Sequence, residues 1–384
     1  MKVAVLGYGT VGTGVYSMLS AAPGMEAGPV LVRPGKAVES FMVSDAALIF
    51  GDPTVDAVVE TLGGLDPAYS YGMRALEAGK HFITANKAMV AAHGLELAAL
   101  AREKGAAFLF SAACGGGLPF LHNLALSAET DRIEAVSGIL NGTTNYMLDA
   151  MQRRGLSYGD ALREAQSLGY AESDPTADIS GLDALRKMQL ACAVAFGVLP
   201  QSGMLCEGME HFTAADVEDI QSRGLVCRLM ASGSRAGESV SAYVEPVLFP
   251  RAAPESSVFT NNNMARYTGK RCGSIVLMGQ GAGRFPTASA VLRDLSAAQQ
   301  GARSMFPENC RAAEADNREA VHSYYIRTGG FAAVRLSLRS VLAQGEVVRA
   351  VTEPMSAEKM HALAQNIRKD GNDLFFAALE EELC

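Results

Sequence analysis

The first strand-like run, residues 2–6, is apolar from Val3 to Leu6 and is closed at once by glycines from Gly7 to Gly14. A short continuous apolar run ending in a turn reads as a buried strand. A helix-like run follows to about Ser20, with strand-like runs at residues 30–32 and 57–60. Residues 69–78 read as a helix, 81–84 as a strand, 94–104 as a helix and 107–110 as a strand. Strands alternating with helices predict an α/β domain, a Rossmann-type doubly wound parallel sheet. Residues 21–49 are few for a complete strand–helix–strand unit, so the second half-turn of that sheet is expected to be trimmed.

From about residue 120 the pattern changes. Helical stretches at 121–129, 144–154, 158–168 and 181–196 surround short loops, and 240–249 and 273–278 read as extended. A polar loop is expected over 251–263, and the alanine-rich residues 287–302 read as a helix. The tail alternates a strand at 322–328, a helix at 331–343, a strand at 346–352, a helix at 357–369 and a strand at 374–379. The expected organisation is a dinucleotide-binding domain over 1–120 with about 284–305, an α+β catalytic and dimerisation domain over 121–283, and a small α+β module over 314–384.

Composition narrows the partners. Over 384 residues the balance is 33 − 41 = −8, with no basic run longer than two, which excludes nucleic acid and anionic membrane as partners. Seven scattered cysteines without a CxxC pair suggest neither a disulfide framework nor a zinc site; free thiols in a reducing cytosol are expected. The longest apolar stretch, 190–199, is about half a membrane span. The start of the chain lacks the continuous apolar core of a signal peptide, so a soluble cytoplasmic protein is expected.

Gly7-Tyr8-Gly9-Thr10-Val11-Gly12 fits GxGxxG between a strand and a helix. Glycine there permits the tight turn, the approach of backbone to pyrophosphate and close helix–strand packing. The phosphates would meet the free N–H groups and dipole of the helix N-terminus. By itself the motif is a weak signal; its setting strengthens it. The acidic residue that holds the ribose 2′-OH in NAD enzymes is missing, and Arg33 with Lys36 stands at the end of the second strand. A cation there suits the 2′-phosphate of NADP, although a solvated surface arginine is the plainer alternative.

Polar groups concentrate in two places. Thr84-Ala85-Asn86-Lys87 ends a parallel strand, where such loops line the ligand crevice. Glu172, Asp174, Asp178 and Asp183 then fall within twelve residues, with Lys187 four residues past Asp183 on the same helical face. An isolated pair at that spacing is usually a surface ion pair. The density of carboxylates suits a cationic ligand such as an α-ammonium, and the positions do not match an EF-hand.

The chain resembles the homoserine dehydrogenase family at these residues. The resemblance is carried by Gly138-Ile139-Leu140-Asn141-Gly142-Thr143-Thr144-Asn145-Tyr146-Met147-Leu148, then Glu164 to Glu172 and the Asp178 to Lys187 run. Val58-Val59-Glu60 with Gly63-Gly64, Ala85-Asn86-Lys87-Ala88 and Gly281-Ala282-Gly283 add to it, over roughly residues 1–300. It implies reversible reduction of L-aspartate 4-semialdehyde to L-homoserine by NADPH, with NAD admitted as an alternative cofactor. Lys187 matches the proton-transferring lysine. A lysine suits that task when desolvated or set beside another cation, for which Lys87 is the candidate. Glu172 and Asp183 match substrate-binding positions, with Asp178 aiding from the same loop. Gly7, Gly9, Thr10, Val11, Gly12, Arg33, Lys87 and Gly281 correspond to cofactor contacts. Residues 138–148 identify the family but carry no assigned catalytic group. A homodimer built from the second domain is implied.

The alternatives are an oxidoreductase for another amino-acid semialdehyde, against which the residues from Glu172 to Lys187 weigh, and a regulatory NADP-binding protein, which would not need a proton donor. The chain also departs from the family pattern. Ser111 stands where members carry a glutamate that helps hold a monovalent cation; the carbonyls of Cys114 and Gly116 remain for sodium. Thr328-Gly329-Gly330-Phe331 replaces the turn that shapes an amino-acid site in ACT domains, so the tail reads as a degenerate ACT-like module.

Overall fold

The computed structural model describes residues 1–329 and 337–380. Met1–Ile133, Gln189–Leu199 and Gly279–Arg311 form one unit; Glu134–Met188, Pro200–Met278 and Ala312–Cys384 form the other. Among the described residues no helix is long and apolar enough to cross a membrane.

The first unit is built on six strands, β1 (Lys2–Leu6), β2 (Glu26–Leu31), β3 (Met42–Val43), β4 (Ala57–Glu60), β5 (His81–Thr84) and β6 (Phe108–Leu109). They pair in parallel in the order β3-β2-β1-β4-β5-β6. This is the doubly wound order whose direction reverses between β1 and β4, the place where such sheets bind ligands. Val3–Leu6 and all of β4 are buried, as strands covered on both faces must be. Helices α1 (Thr10–Leu19), α2 (Ala47–Phe50), α3 (Ala68–Glu77), α4 (Lys87–Lys104) and α5 (Phe120–Thr130) follow in chain order. The later helix Arg284–Gln299 packs closely on α1, where a Cβ on Gly14 would lie 2.8 Å from Arg284 O.

The second strand begins at Glu26, not at Val30, and its opening Glu-Ala-Gly-Pro hides it from an apolar pattern. Gly28 and Pro29 form an irregularity between the pairs Val3–Ala27 and Val5–Val30, which accommodates a proline without an N–H. No helix connects β2 to β3. Residues 32–41 cross as a loop and α2 is four residues long, the trimming that the short spacing predicted.

The second unit centres on a ten-stranded sheet. Its core is the antiparallel hairpin Leu225–Ala236 with Ser239–Pro250, paired over twelve residues and joined by Gly237-Glu238. Gly237 has φ +61°, as a two-residue hairpin turn needs at its first position. The strand Leu225–Ala236 escaped the apolar pattern because it buries Arg228, whose guanidinium is absorbed by the carbonyls of Cys227, Glu255 and Ser256. The polar loop expected to reach residue 263 ends earlier, since Asn262–Gly269 is a strand.

Four helices carry the functional segments: α6 (Gly142–Arg154), α7 (Tyr158–Ser167), α8 (Thr176–Ile179) and α9 (Leu182–Phe196), with α10 (Ala214–Ser222) after them. Helix α6 is buried from Thr143 to Gln152, so it is a core helix rather than an amphipathic one.

In the C-terminal part, Tyr324–Thr328, Leu338–Ala343, Val348–Thr352 and Leu374–Leu379 form four antiparallel neighbours, with the last strand beside the first and the third between the first and second. The helix Ala357–Lys369 lays Met360, Ala364 and Ile367 on Tyr324, Ile326 and Phe376. The helix expected over 331–343 is overturned at Leu338–Ala343, where pairing with Val348–Thr352 makes a strand; sheet partners override a local helical spacing. The rest of that expected helix, through Leu336, and Gly330-Phe331 of the expected turn lie outside the described residues.

Candidate active site

The nucleotide site is shaped by glycine. Gly7 has φ +99° at the end of β1, and a Cβ on Gly12 would lie 2.2 Å from Gly7 O. Strand and helix therefore touch backbone to backbone. Gly9 caps α1 without a side-chain bond, and a Cβ there would have nothing within 4 Å. The N–H groups at the start of α1, which Thr10 and Val11 open, have no side-chain cap. The cleft beside it holds about 1060 Å³ and is lined by Gly7, Tyr8, Gly9, Arg33, Lys36 and Thr61, among others.

The opposite rim is organised by a residue to which the sequence reading gave no role. Glu60 is fully buried at the end of β4. Its Oε1 accepts from Leu62 N (2.5 Å) and Gly63 N (3.1 Å), and its Oε2 accepts from Thr84 Oγ1 (2.6 Å). Asn86, the N-cap of α4, donates to Gly64 O at 2.6 Å and accepts from Met89 N. Lys87 is the first residue of α4 and thus stands at a helix start held by this network.

The loop from Ser111 to Pro119 belongs to the same unit. Gly115 (φ 85°) and Gly116 (φ 52°) make its tight turn, and a Cβ on Gly116 would lie 2.4 Å from Gly281 O. Gly281 thus serves as a close backbone neighbour of this loop. Ser111 donates through N (2.7 Å) and Oγ (2.5 Å) to the buried carboxylate of Asp294. The loop therefore does have an acidic partner, contributed by the helix Arg284–Gln299 some 180 residues later and invisible to local spacing. Burial, opposed by the Ser111 bonds, pushes the Asp294 carboxyl up to about 7 from an ordinary 3.8. The folded state thus holds a proton that the unfolded chain releases. The stabilisation is complete below the unfolded value, drains away as pH rises through the folded one, and costs up to about 1.4 kcal/mol per pH unit between them. Asp294→Asn retains an acceptor for Ser111 N and no longer titrates. Its Tm relative to wild type should rise between about pH 4 and about pH 7 and level off above; parallel Tm–pH curves would refute the titration.

The second unit holds the acidic cluster. Asn141 follows the strand Ile133–Ile139 after one residue and caps α6, accepting from Thr144 N at 2.8 Å. Its amide donates to Asp178 Oδ1 (2.7 Å) and Asp183 Oδ2 (2.9 Å), so one side chain sets the separation of the two carboxylates. Thr143 Oγ1 lies 3.0 Å from Asp178 Oδ2 and 2.6 Å from Tyr170 O. Lys187 Nζ donates to Asp183 Oδ2 and to Leu140 O, both at 2.6 Å. The Lys187 and Asp183 side chains are 13% and 12% exposed, so this is not the surface pair that the spacing also allowed. Burial lifts the Asp178 carboxyl above the usual carboxylate range, and the charge of Asp183 adds to the lift. A carboxylate so raised gains most from a cation placed beside it.

Asp178, Asp183 and Lys187 are thus brought together. Glu172 is exposed on the loop before α8, with its carbonyl accepting from Gln166. Asn141 and Thr143, in the stretch read as naming no chemical group, are the organisers of the cluster. The signal was available: Asn-Gly-Thr-Thr after a strand is an N-cap, and a capping amide has a spare donor. Among the described residues no group of three or more His, Cys, Asp and Glu side chains could hold a metal ion.

A six-stranded nucleotide-binding sheet with a glycine cradle, joined in one chain to a domain bearing a lysine–carboxylate cluster, defines a nicotinamide-dependent oxidoreductase. The homoserine dehydrogenase NAD-binding domain matches residues 7–111, and the homoserine dehydrogenase domain matches residues 119–296. The homoserine dehydrogenase of Corynebacterium glutamicum is 38% identical over 314 residues, spanning 76% of this chain and 70% of that protein. The crystal structure of a homoserine dehydrogenase from Thiobacillus denitrificans superposes with a TM-score of 0.87 at 30% identity, over 99% of this chain and 98% of that one. A hyperthermophilic archaeal homoserine dehydrogenase in complex with NADPH matches with a TM-score of 0.67 at 25% identity, over 81% of this chain and 99% of that one. The chain belongs to the homoserine dehydrogenase family.

Proposed function

We propose that the chain interconverts L-aspartate 4-semialdehyde and L-homoserine with NADP as the preferred cofactor, using Lys187 as the proton donor. The observation that carries this reading is the placement of Lys187 Nζ, 2.6 Å from both Asp183 and Leu140 O. When bound, the nicotinamide supplies the hydride. The alkoxide left at the former aldehyde oxygen needs a proton, and Lys187 gives it; in the other direction the amine takes the hydroxyl proton. Asp183 orients that lysine and accepts from the substrate hydroxyl. Asp178 and Glu172 take the α-ammonium, which removes the electrostatic burden at Asp178. Lys87, at the start of α4, would contact the cofactor.

Gly7, Gly9, Gly12 and the start of α1 at Thr10 and Val11 would hold the pyrophosphate, and Gly281, of the same unit, would contact the cofactor as well. The open space over Gly9 and the absence of a side-chain cap on α1 fit that group. Arg33 and Lys36, on the exposed loop after β2, would take the 2′-phosphate. A monovalent cation such as sodium would sit on the Cys114 and Gly116 carbonyls of the glycine turn, with Asp294 tying the loop from behind. Functionally, residues 1–120 with 284–305 bind the dinucleotide, 121–283 bind substrate and build a homodimer, and 314–384 are a degenerate ACT-like module. The order of the strands Tyr324–Thr328, Leu338–Ala343, Val348–Thr352 and Leu374–Leu379, with the helix Ala357–Lys369 packed on them, supports that reading. The working compartment is the cytoplasm.

The test is homoserine-dependent NADP reduction at alkaline pH, with NAD alongside. Wild type should favour NADP, and Arg33→Ala should raise KM for NADP about tenfold or more while leaving KM for NAD nearly unchanged, as expected for one lost phosphate contact worth about 1.5–3 kcal/mol. A strong NAD preference unaltered in Arg33→Ala would sink the cofactor assignment. Lack of turnover with either cofactor would sink the reaction.

A further inference from the structure

Glu207 is buried and is gripped from far along the chain. Arg368, on the helix Ala357–Lys369, makes two parallel bonds to it, NH1 to Oε2 at 2.9 Å and NH2 to Oε1 at 2.7 Å. The same guanidinium donates through Nε (3.2 Å) and NH2 (2.8 Å) to Leu374 O, so the fork is fixed from both sides. Bidentate pairs of this kind specify geometry as well as contributing energy.

The strip that carries Glu207 lies on the backbone joining Asp178 to Asp183. Met209 N donates to Ile179 O at 2.9 Å, and Cys206 Sγ donates to Ser180 O at 3.0 Å. Burial, with Glu207 and Glu210 beside it, pushes the Cys206 thiol up to about 12, so it stays protonated and keeps donating. A Cβ on Gly208 would lie 2.2 Å from Ile179 O and 2.6 Å from Ser180 Cα. Backbone rests on backbone there, with the Glu210 carboxylate packed against the same spot. Glu207 N is itself bonded to Val244 O on the central hairpin at 2.8 Å.

We propose that Glu207 and Arg368 are positioning residues for the reaction: through this pair the C-terminal module holds the 206–209 strip, and with it the relative placement of Asp178 and Asp183. The inference rests on the assignment of those two carboxylates to the substrate. It gives the C-terminal module a part in catalysis that requires no bound effector. Neither Glu207 nor Arg368 touches substrate; each acts through the backbone of Ile179 and Ser180. A second tie keeps the module attached when Arg368 is altered, since Arg327 donates to His211 O and to buried Asp216, both at 2.8 Å.

The test is steady-state kinetics on the full chain carrying Arg368→Gln, Arg368→Lys, Glu207→Gln, Met360→Ala or Asp178→Asn. Arg368→Gln and Glu207→Gln should each raise KM for homoserine about tenfold, a loss typical of sub-ångström misplacement, while KM for NADP stays within about twofold of wild type. Arg368→Lys should recover part of the loss, because it restores the charge without the fork. Met360→Ala opens the core of the same module away from the pair; it should lower Tm without that KM pattern. If Asp178→Asn raises KM for homoserine and the Arg368 and Glu207 variants do not, this inference fails and the substrate assignment stands. If Asp178→Asn leaves KM unchanged, both fall. If Met360→Ala reproduces the KM pattern, the effect is general loosening of the module and the specific role of the pair is overturned.

Discussion

Lys187→Ala should abolish turnover in both directions while NADPH binds almost as tightly as to wild type. The lysine is bonded into the Asn141–Asp178–Asp183 network, and its bonds to Asp183 and Leu140 O hold Nζ in place before substrate arrives. A positioned proton donor contributes about 10²–10⁴-fold, so kcat should fall by at least that factor. The loss should be larger still, because alanine also leaves Asp183 uncompensated beside Asp178. Lys187→Arg separates these effects. Arginine keeps the positive charge next to Asp183 but does not give up a proton in a protein, so it should restore stability without restoring kcat. NADPH affinity, read by fluorescence titration, should be unchanged in both variants, since the glycine cradle lies in the other unit. A kcat near wild type in Lys187→Ala would remove the residue from the mechanism.

Two glycines of the nucleotide turn should separate folding from binding. In Gly12→Ala the new Cβ would lie 2.2 Å from Gly7 O and 2.9 Å from Thr61 Oγ1. No flexible side chain end is there to yield, so α1 must move off β1. Such overpacking costs about 1–3 kcal/mol, and it also turns the helix N-terminus away from the pyrophosphate. Both Tm and NADPH affinity should fall, the affinity by about a hundredfold or more when cradle and dipole are misaligned together. Gly9→Ala meets no atom within 4 Å and has an ordinary φ of −81°, so Tm should stay within a degree or two of wild type. Its methyl group instead enters the space assigned to the phosphates, and NADPH affinity should drop at least tenfold. Thermal melts with and without NADPH report both quantities. If Gly9→Ala binds NADPH normally, the phosphates lie elsewhere.

The parts of this protein legible in its sequence are those written in contiguous residues. Alternating apolar runs and helical spacings marked the parallel sheet, and Gly7 to Gly12 marked the turn, because a left-handed φ and a close strand–helix approach leave glycine as the residue that fits. The spacing of Asp183 and Lys187 put them on one helical face, since i and i+4 are neighbours on any helix. Family likeness across residues 7–296 is of the same kind, an ordered string of local motifs.

Tertiary structure decided which charges are buried and who holds them. An i,i+4 pair reads the same whether exposed or enclosed; burial of Lys187 and Asp183 depends on α6 and on the carbonyl of Leu140, 47 residues away. Asn141 joins Asp178 to Asp183 across 37 and 42 residues, Asp294 reaches Ser111 across 183, and Arg368 reaches Glu207 across 161. None of these partners is marked by composition, because a polar side chain's worth is set by what desolvates it and what answers it. The same holds for strands: Leu338–Ala343 carries a helical spacing yet pairs with Val348–Thr352, and Leu225–Ala236 buries an arginine that only three converging carbonyls make tolerable. Local sequence chose the elements and listed the reactive groups; the long-range packing set their distances, their burial and so their chemistry.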